Sequence, residues 1–542
     1  MTPEGQLETW TATDPLPHSA RWMRASWIES RTGRTVALLV VLALATGVPL
    51  VLAIVTGSIG IPHNDAWSHA KIAEEFGRTG VIQLVGWNRT ALVGQVVPLG
   101  PLASSIIAQH LFVAALSLVA LVATYAYLVR KVVPSAALLG TLIVGIAPEF
   151  GLLATSFMSD IPAFAALMLC LVLTDQALRT QKPLYLAFAL LAGVWGVTIR
   201  EQDIVGPVVA LAVTSLAWRG RKRLIALGLG LLAAAAVGVF ELWRRSLPYG
   251  DSPVFEPDVL AAARVVVLAA FTIALYVAPA VFSVARPTQW SVRTRWLSAI
   301  SLIPTLAIAI EAYPVVFLPN CLDPSGAYSA ASVGARVDVI PSWLWLGLVL
   351  LACVSLCLII GLVLDKRFRI DRTSALVGAL FIAGTIAQAA AGQAIFSRYL
   401  LPLLPIACAV ILKGHVLRRR RFMIPALTCL AVVWLGITAN ALSFDAARWQ
   451  AASTLQQRGI AATDINAGLE WVGYHAAEPA EQGRARRGVM TWYMSMFQKS
   501  RECYVISASQ LGGRSPIDIY EYRTYGLSGV SQLWIYQGTG CR

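Results

Sequence analysis

Four short segments of this chain place ionisable residues at the ends of long apolar runs, where a charge is costly unless it is used. The first reads Ile61-Pro62-His63-Asn64-Asp65-Ala66-Trp67-Ser68-His69 and continues to Gly77. Asp65 there has the chemistry of a general base, able to take a proton from an acceptor hydroxyl or amine within hydrogen-bond reach. His63 and His69 flank it, and His69, four residues on, shares its helical face. Such a His/Asp/His group is one arrangement that binds a metal. The competing reading makes Asn64 or Asp65 the N-cap of a short amphipathic helix, ended by Gly77 and lying along the membrane surface. The second acid is Asp160, in Ser159-Asp160-Ile161-Pro162. Ser or Asp just before a Pro starts helices well, yet an acid at a membrane cavity also binds a divalent cation. The third segment is Arg200-Glu201-Gln202-Asp203, and the fourth holds Arg398-Tyr399-Leu400-Leu401-Pro402. Arginine suits phosphate because its planar fork makes paired, charge-assisted hydrogen bonds. Against that stand snorkelling to lipid headgroups and, for Arg200, pairing inside its own loop with Glu201 or Asp203.

The elements that hold these residues are membrane spans. Of 542 residues, 57% are hydrophobic and 13% charged, against about 25% charged in a soluble domain. Mean hydropathy is +0.67. An ordinary cytosolic enzyme, a disordered chain and a disulfide-framework protein are excluded. A bilayer core of about 30 Å needs about 20 apolar residues per helix. Runs of that kind centre near residues 48, 117, 142, 170, 191, 211, 233, 275, 307, 353, 382, 406 and 431, so the expectation is about 13 transmembrane helices. The run over 35–60 is too long for a signal peptide and reads as an uncleaved first span. With the N-terminus inside, cytoplasmic segments hold 24 of the 43 basic residues, the short outer loops nine and the tail ten. That bias orients the chain with residues 1–34 in the cytoplasm and the tail outside. The net charge of +14 is therefore a topology signal, and nucleic acid is not an expected partner. The domain plan is an N-terminal segment 1–34, a transmembrane domain 35–440 with its first outer loop at 61–100, and an extracytoplasmic domain 441–542. The last contains β-like stretches near 502–506 and 532–536 and reads as a small α/β unit. Cys503 and Cys541 fall in that compartment, where a disulfide can form. No Walker A loop and no GxGxxG fingerprint occurs.

The first-loop acid, the Ser-Asp before span four, the Arg-Tyr-Leu-Leu-Pro opening a late span, thirteen spans and an outer C-terminal domain together resemble the C-type (GT-C) glycosyltransferase superfamily. The pattern is most similar to the bacterial family that includes the lipid A aminoarabinose transferase and resembles the protein O-mannosyltransferases. The resemblance covers roughly residues 35–440. It implies a multi-pass cell-membrane enzyme that moves a sugar from a polyprenyl-phosphate donor to an envelope lipid, glycan or protein acceptor on the outer face. It makes Asp65 the base, Asp160 the second-loop acid that meets the donor or a divalent cation, and Arg398 the phosphate-binding arginine. Arg200 and Tyr399 join Arg398 at that phosphate. His63, His69, Trp87 and Asn88 are accessory candidates, the last two from Gly86-Trp87-Asn88, a segment similar to one in bacterial members. Asp160 lacks the adjacent second acid of the family pattern, which weakens the case for a metal. A polysaccharide polymerase or ligase, and a lipid-linked sugar transporter or flippase, are the competing functions.

Overall fold

The computed structural model describes residues 30–85, 91–248, 256–365, 370–415, 417, 420–476, 490–524, 529–538 and 541. The chain is a multi-pass helical membrane protein carrying a small sheet near its C-terminus. Among the described residues, nine helices are long and apolar enough to cross a bilayer: Arg31–Thr56, Ile106–Leu128, Asp160–Thr180, Gly220–Ser246, Val259–Tyr276, Val292–Ala312, Ser342–Leu364, Arg372–Ala390 and Arg421–Gln457. The most peripheral, Gly220–Ser246, turns Leu224, Leu231, Leu232 and Leu242 outward, as a lipid-facing helix must.

The other four expected centres also fall on helices, but on short ones: Pro134–Gly145, Pro183–Val197, Val205–Ala217 and Leu403–Leu412. With 10 to 15 residues each, they extend about 15–23 Å, less than the hydrocarbon core. Each stops at the same kind of place. Pro148 starts a new helix after the break at 146–147, Arg200 interrupts the pair at 197–205, and the turn Ser397–Leu400 precedes Leu403. Irregular backbone at membrane depth is tolerated where it lines a cavity. The turns beside the shortened helices thus hold two of the four ionisable segments, and a third, Asp160, opens the full-length helix Asp160–Thr180 and pairs with Arg200 at the same end of the bundle.

The fourth segment reaches the same end through the loop helix Ala66–Thr79. It buries Trp67, Ala70, Ile72 and Ala73 and stops at Gly80, whose φ of +73° suits glycine. Gly77 does not end it. A Cβ at Gly77 would come 2.4 Å from the Ser104 amide nitrogen, so glycine there permits close packing on the chain at 103–104.

The helix Arg420–Gln457 has 38 residues and runs unbroken past residue 440, so the last crossing and the base of the C-terminal domain are one element. Its C-terminal half presents Phe444, Ala447, Ala451 and Leu455 to Ile465, Trp471, Ile506, Leu533 and Ile535. The sheet comprises β1 (Ile465–Asn466), β2 (Tyr504–Ser507), β3 (Asp518–Arg523) and β4 (Val530–Gln537), in spatial order β1-β2-β4-β3. β1 and β2 are parallel, and the other pairs antiparallel. A disulfide joins Cys503 to Cys541 across 38 residues. Closing a loop of that length stabilises a domain by about 4 kcal/mol. Cys541→Ser is expected to lower the melting temperature of the C-terminal domain by several degrees. Scanning calorimetry with and without reductant checks this, and reductant should leave the variant unchanged.

Candidate functional site

Local backbone sets the direction of each ionisable side chain. Asn64 adopts φ +47°, a left-handed turn that Asn tolerates, and Ala66 N–H closes it onto the His63 carbonyl at 3.0 Å. Asp65 follows at the helix start, yet its carboxylate makes no capping hydrogen bond. Instead Asp65 Oδ2 accepts from Arg398 Nη2 at 2.9 Å. Arg398 lies in the turn Ser397–Leu400, pinned by the Ser397 N–H donating to the Pro319 carbonyl at 3.1 Å. Asp160 opens its helix after Ser159, again with no side-chain cap. Its Oδ1 accepts from Arg200 Nη1 and lies 4.0 Å from Arg398 Nε. Asp65 and Ser159 thus occupy the expected N-cap positions, but neither acid caps through its carboxylate, because the arginines take those oxygens. Arg200 does not pair with Glu201 or Asp203 by an ion pair. Its guanidinium pairs with Asp160 and sits over the Tyr399 ring, 4.6 Å from the centroid.

Asp65, Asp160, Arg200, Arg398 and Tyr399 therefore form one constellation. Asp160, Arg200, Arg398 and Tyr399 line a cleft together with Asp203 and Phe381. Arg398 is only 6% exposed, and its Nε and Nη1 have no hydrogen-bond partner. Burial opposes its charge, but Asp160 and Asp65 more than offset that and raise its pKa well above the ordinary arginine value. A buried guanidinium that holds its charge and leaves two of its nitrogens without a hydrogen bond has the chemistry to bind an anion.

Asp203 is the lining residue that sequence reading treated only as a partner for Arg200. It is 3% exposed, its Oδ2 is unpartnered, and burial pushes its carboxyl well above the usual carboxylate range. Its signal was an acid beside an arginine within an apolar stretch, which periodicity cannot separate from a solvated loop charge.

The histidines part company. His69 Nδ1 lies 2.9 Å from the Phe157 carbonyl oxygen, and His63 Nδ1 lies 2.8 Å from Asp445 Oδ2. They do not converge on Asp65, which corrects the His/Asp/His grouping. No cluster of three or more His, Cys, Asp or Glu suited to a metal occurs among the described residues. Asp65 and Asp160 each face a guanidinium, which leaves Asp203 as the one acid of the cleft lining without an ion pair, too few donors for a divalent cation. Trp87 and Asn88 lie outside the described residues.

The sequence matches no known family profile and no curated relative. Among solved structures, the chain is similar to ArnT from Cupriavidus metallidurans bound to undecaprenyl phosphate. That match has 13% identity and a TM-score of 0.42, over 84% of this chain and 87% of that one. The apo state of the same protein gives 16% identity and a TM-score of 0.37, over 83% and 86%. The Archaeoglobus fulgidus oligosaccharyltransferase tethered with an acceptor peptide gives 12% identity and a TM-score of 0.35, over 88% of this chain and 64% of that one.

Proposed function

We propose that this protein is a membrane glycosyltransferase. It moves a sugar from a polyprenyl-phosphate donor to an envelope lipid, glycan or protein acceptor on the outer face of the cell membrane. The observation that carries this reading is Arg398: buried, charged, lining a cleft, with no hydrogen bond at Nε or Nη1 and with Nη2 on Asp65. One side of this arginine suits a phosphate, and the other holds a carboxylate suited to base work.

The reaction follows from that pairing. The phosphate of the donor enters between Arg398 and Arg200, with Tyr399 supporting the second guanidinium. Its negative charge competes with Asp65 for Arg398, so donor binding frees the Asp65 carboxylate. Asp65 then takes the proton of an acceptor hydroxyl as that oxygen bonds the anomeric carbon. The anomeric carbon–oxygen bond to phosphate breaks, and polyprenyl phosphate leaves with the electron pair, its new charge met by the two arginines. No nucleotide is required. A single displacement inverts the anomeric centre.

The test uses purified protein in proteoliposomes with a radiolabelled polyprenyl-phosphate sugar and an envelope glycolipid extract. Label is expected in an acceptor of inverted anomeric configuration, with polyprenyl phosphate released in equal amount. Label that crosses the bilayer still attached to its lipid would instead establish a flippase, and growth of a donor-linked glycan a polymerase.

A further inference from the structure

The loop that carries Asp65 is fastened to the C-terminal domain from two sides. On one side, His63 Nδ1 meets Asp445 Oδ2 at 2.8 Å, with both side chains almost fully buried. Asp445 Oδ1 accepts from Arg448 Nη2, and the same guanidinium donates to Glu470 and, through Nη1, to the Ala467 carbonyl at 2.9 Å. Gly468 is obligatory there: its φ is +110°, and a Cβ would strike Arg448 Nη1. His63 is also stacked on His110, 5.8 Å between ring centroids. A continuous buried chain thus runs from the last-span helix and the domain to a residue two positions before Asp65.

On the other side, the short helix Leu469–His475 lies directly on the loop helix. A Cβ at Gly473 would come 2.4 Å from the Trp67 ring, so the two backbones meet with nothing between them but that indole. Lys71 Nζ donates to the Ala476 carbonyl at 2.7 Å, and the Tyr474 hydroxyl donates to Glu74 Oε1 at 2.6 Å. Burial lowers the Lys71 pKa and raises that of Glu74, as expected for groups enclosed at an interface.

We infer that the C-terminal domain is a positioning element for the Asp65 loop, with Asp445 acting through His63 and Gly473 seating Trp67. The domain is therefore part of the site's framework and not an appended module. Carboxylates two residues from a fixed anchor inherit its precision, and displacement of a reacting group by about 1 Å costs about 10²-fold in rate.

The inference rests on the glycosyltransferase reading for its kinetic arm alone. Full-length wild type, Asp445→Leu, Asp445→Asn and Gly473→Val are compared. In Asp445→Leu and Gly473→Val, kcat is expected to fall about 10²-fold. The Kd for polyprenyl phosphate, read out at Arg398 and Arg200, should stay within about threefold. Asp445→Asn retains an oxygen for His63 and should recover most of the lost turnover. Unchanged turnover, a parallel loss of phosphate binding, or an Asn variant no better than Leu would each overturn the assignment. Hydrogen exchange supplies an arm that needs no reaction. Amides 61–70 should exchange faster in Asp445→Leu and Gly473→Val, while amides 159–165 keep their wild-type protection. If 61–70 is unaffected, the inference fails whatever the chain catalyses; if it loosens in a protein that transfers no sugar, only the function proposal fails.

Discussion

Asp65→Asn is expected to reduce glycosyl transfer at least 10²-fold while polyprenyl phosphate binds as well as to wild type or better. General-base catalysis contributes about 10²–10⁴-fold, and the amide keeps the size of the carboxylate without its basicity. The binding half of the prediction comes from the ion pair. In the free enzyme Asp65 occupies Arg398 Nη2 at 2.9 Å, and a phosphate entering at Nε and Nη1 has to share the charge of that guanidinium with it. A neutral amide is the weaker competitor, so more of Arg398 is available to the anion. Equilibrium binding of labelled polyprenyl phosphate, set beside single-turnover transfer, separates the two effects. Wild-type turnover in the variant would remove Asp65 from the base role. A loss of binding equal to the loss of rate would show instead that Asp65 maintains the arginine's position.

Arg398→Gln is expected to be the more damaging change, because it harms both stability and binding. Asp65 and Asp160 both face this guanidinium, and Asp160 is 5% exposed. Removing one partner of a buried ion pair typically costs about 3–5 kcal/mol, since a charge is left buried and uncompensated. Arg200 still pairs with Asp160, so the loss falls mainly on the Asp65 side. Arg398→Lys should not restore function. An ammonium is a point charge and cannot address Asp65 with one nitrogen while presenting two others to an anion. Thermal unfolding in detergent should show a lowered midpoint for Gln and a smaller decrease for Lys. Phosphate-lipid affinity should fall at least tenfold in both. Wild-type affinity in the Lys variant would show that Arg398 acts by charge alone.

Much of the architecture was readable because a bilayer imposes simple demands. Every apolar run centre lies on a helix, since a helix satisfies its own backbone polar groups in lipid. The positions of the ionisable segments were readable for the same reason: Asp65, Asp160, Arg200 and Arg398 stand out against apolar surroundings. What could not be read was the length of the helices beside them. Hydropathy gives centres at 142, 191, 211 and 406 the same weight as the full spans, whereas the helices there stop after 10 to 15 residues, at the break before Pro148 and at the turns holding Arg200 and Arg398. The stop of the loop helix was misplaced at Gly77 because local preference does not register its packing against 103–104. The boundary at residue 440 was drawn on composition, and composition changes there without any change in the helix.

The amino-acid sequence by itself thus determined the membrane-spanning class, the helix order and the few residue types able to do chemistry at one end of the bundle. Hydrophobicity is a local property, and it can be summed along a chain. Tertiary structure decided which charges meet. Asp65 joins Arg398 across 333 residues, His63 joins Asp445 across 382, and Asp160 joins Arg200 across 40. Those partnerships depend on how the helices pack, and no local periodicity records them. They took the carboxylates of Asp65 and Asp160, both at helix starts, into ion pairs with arginines, and they left Arg398 Nε and Nη1 without the hydrogen bonds on which the proposed function is built.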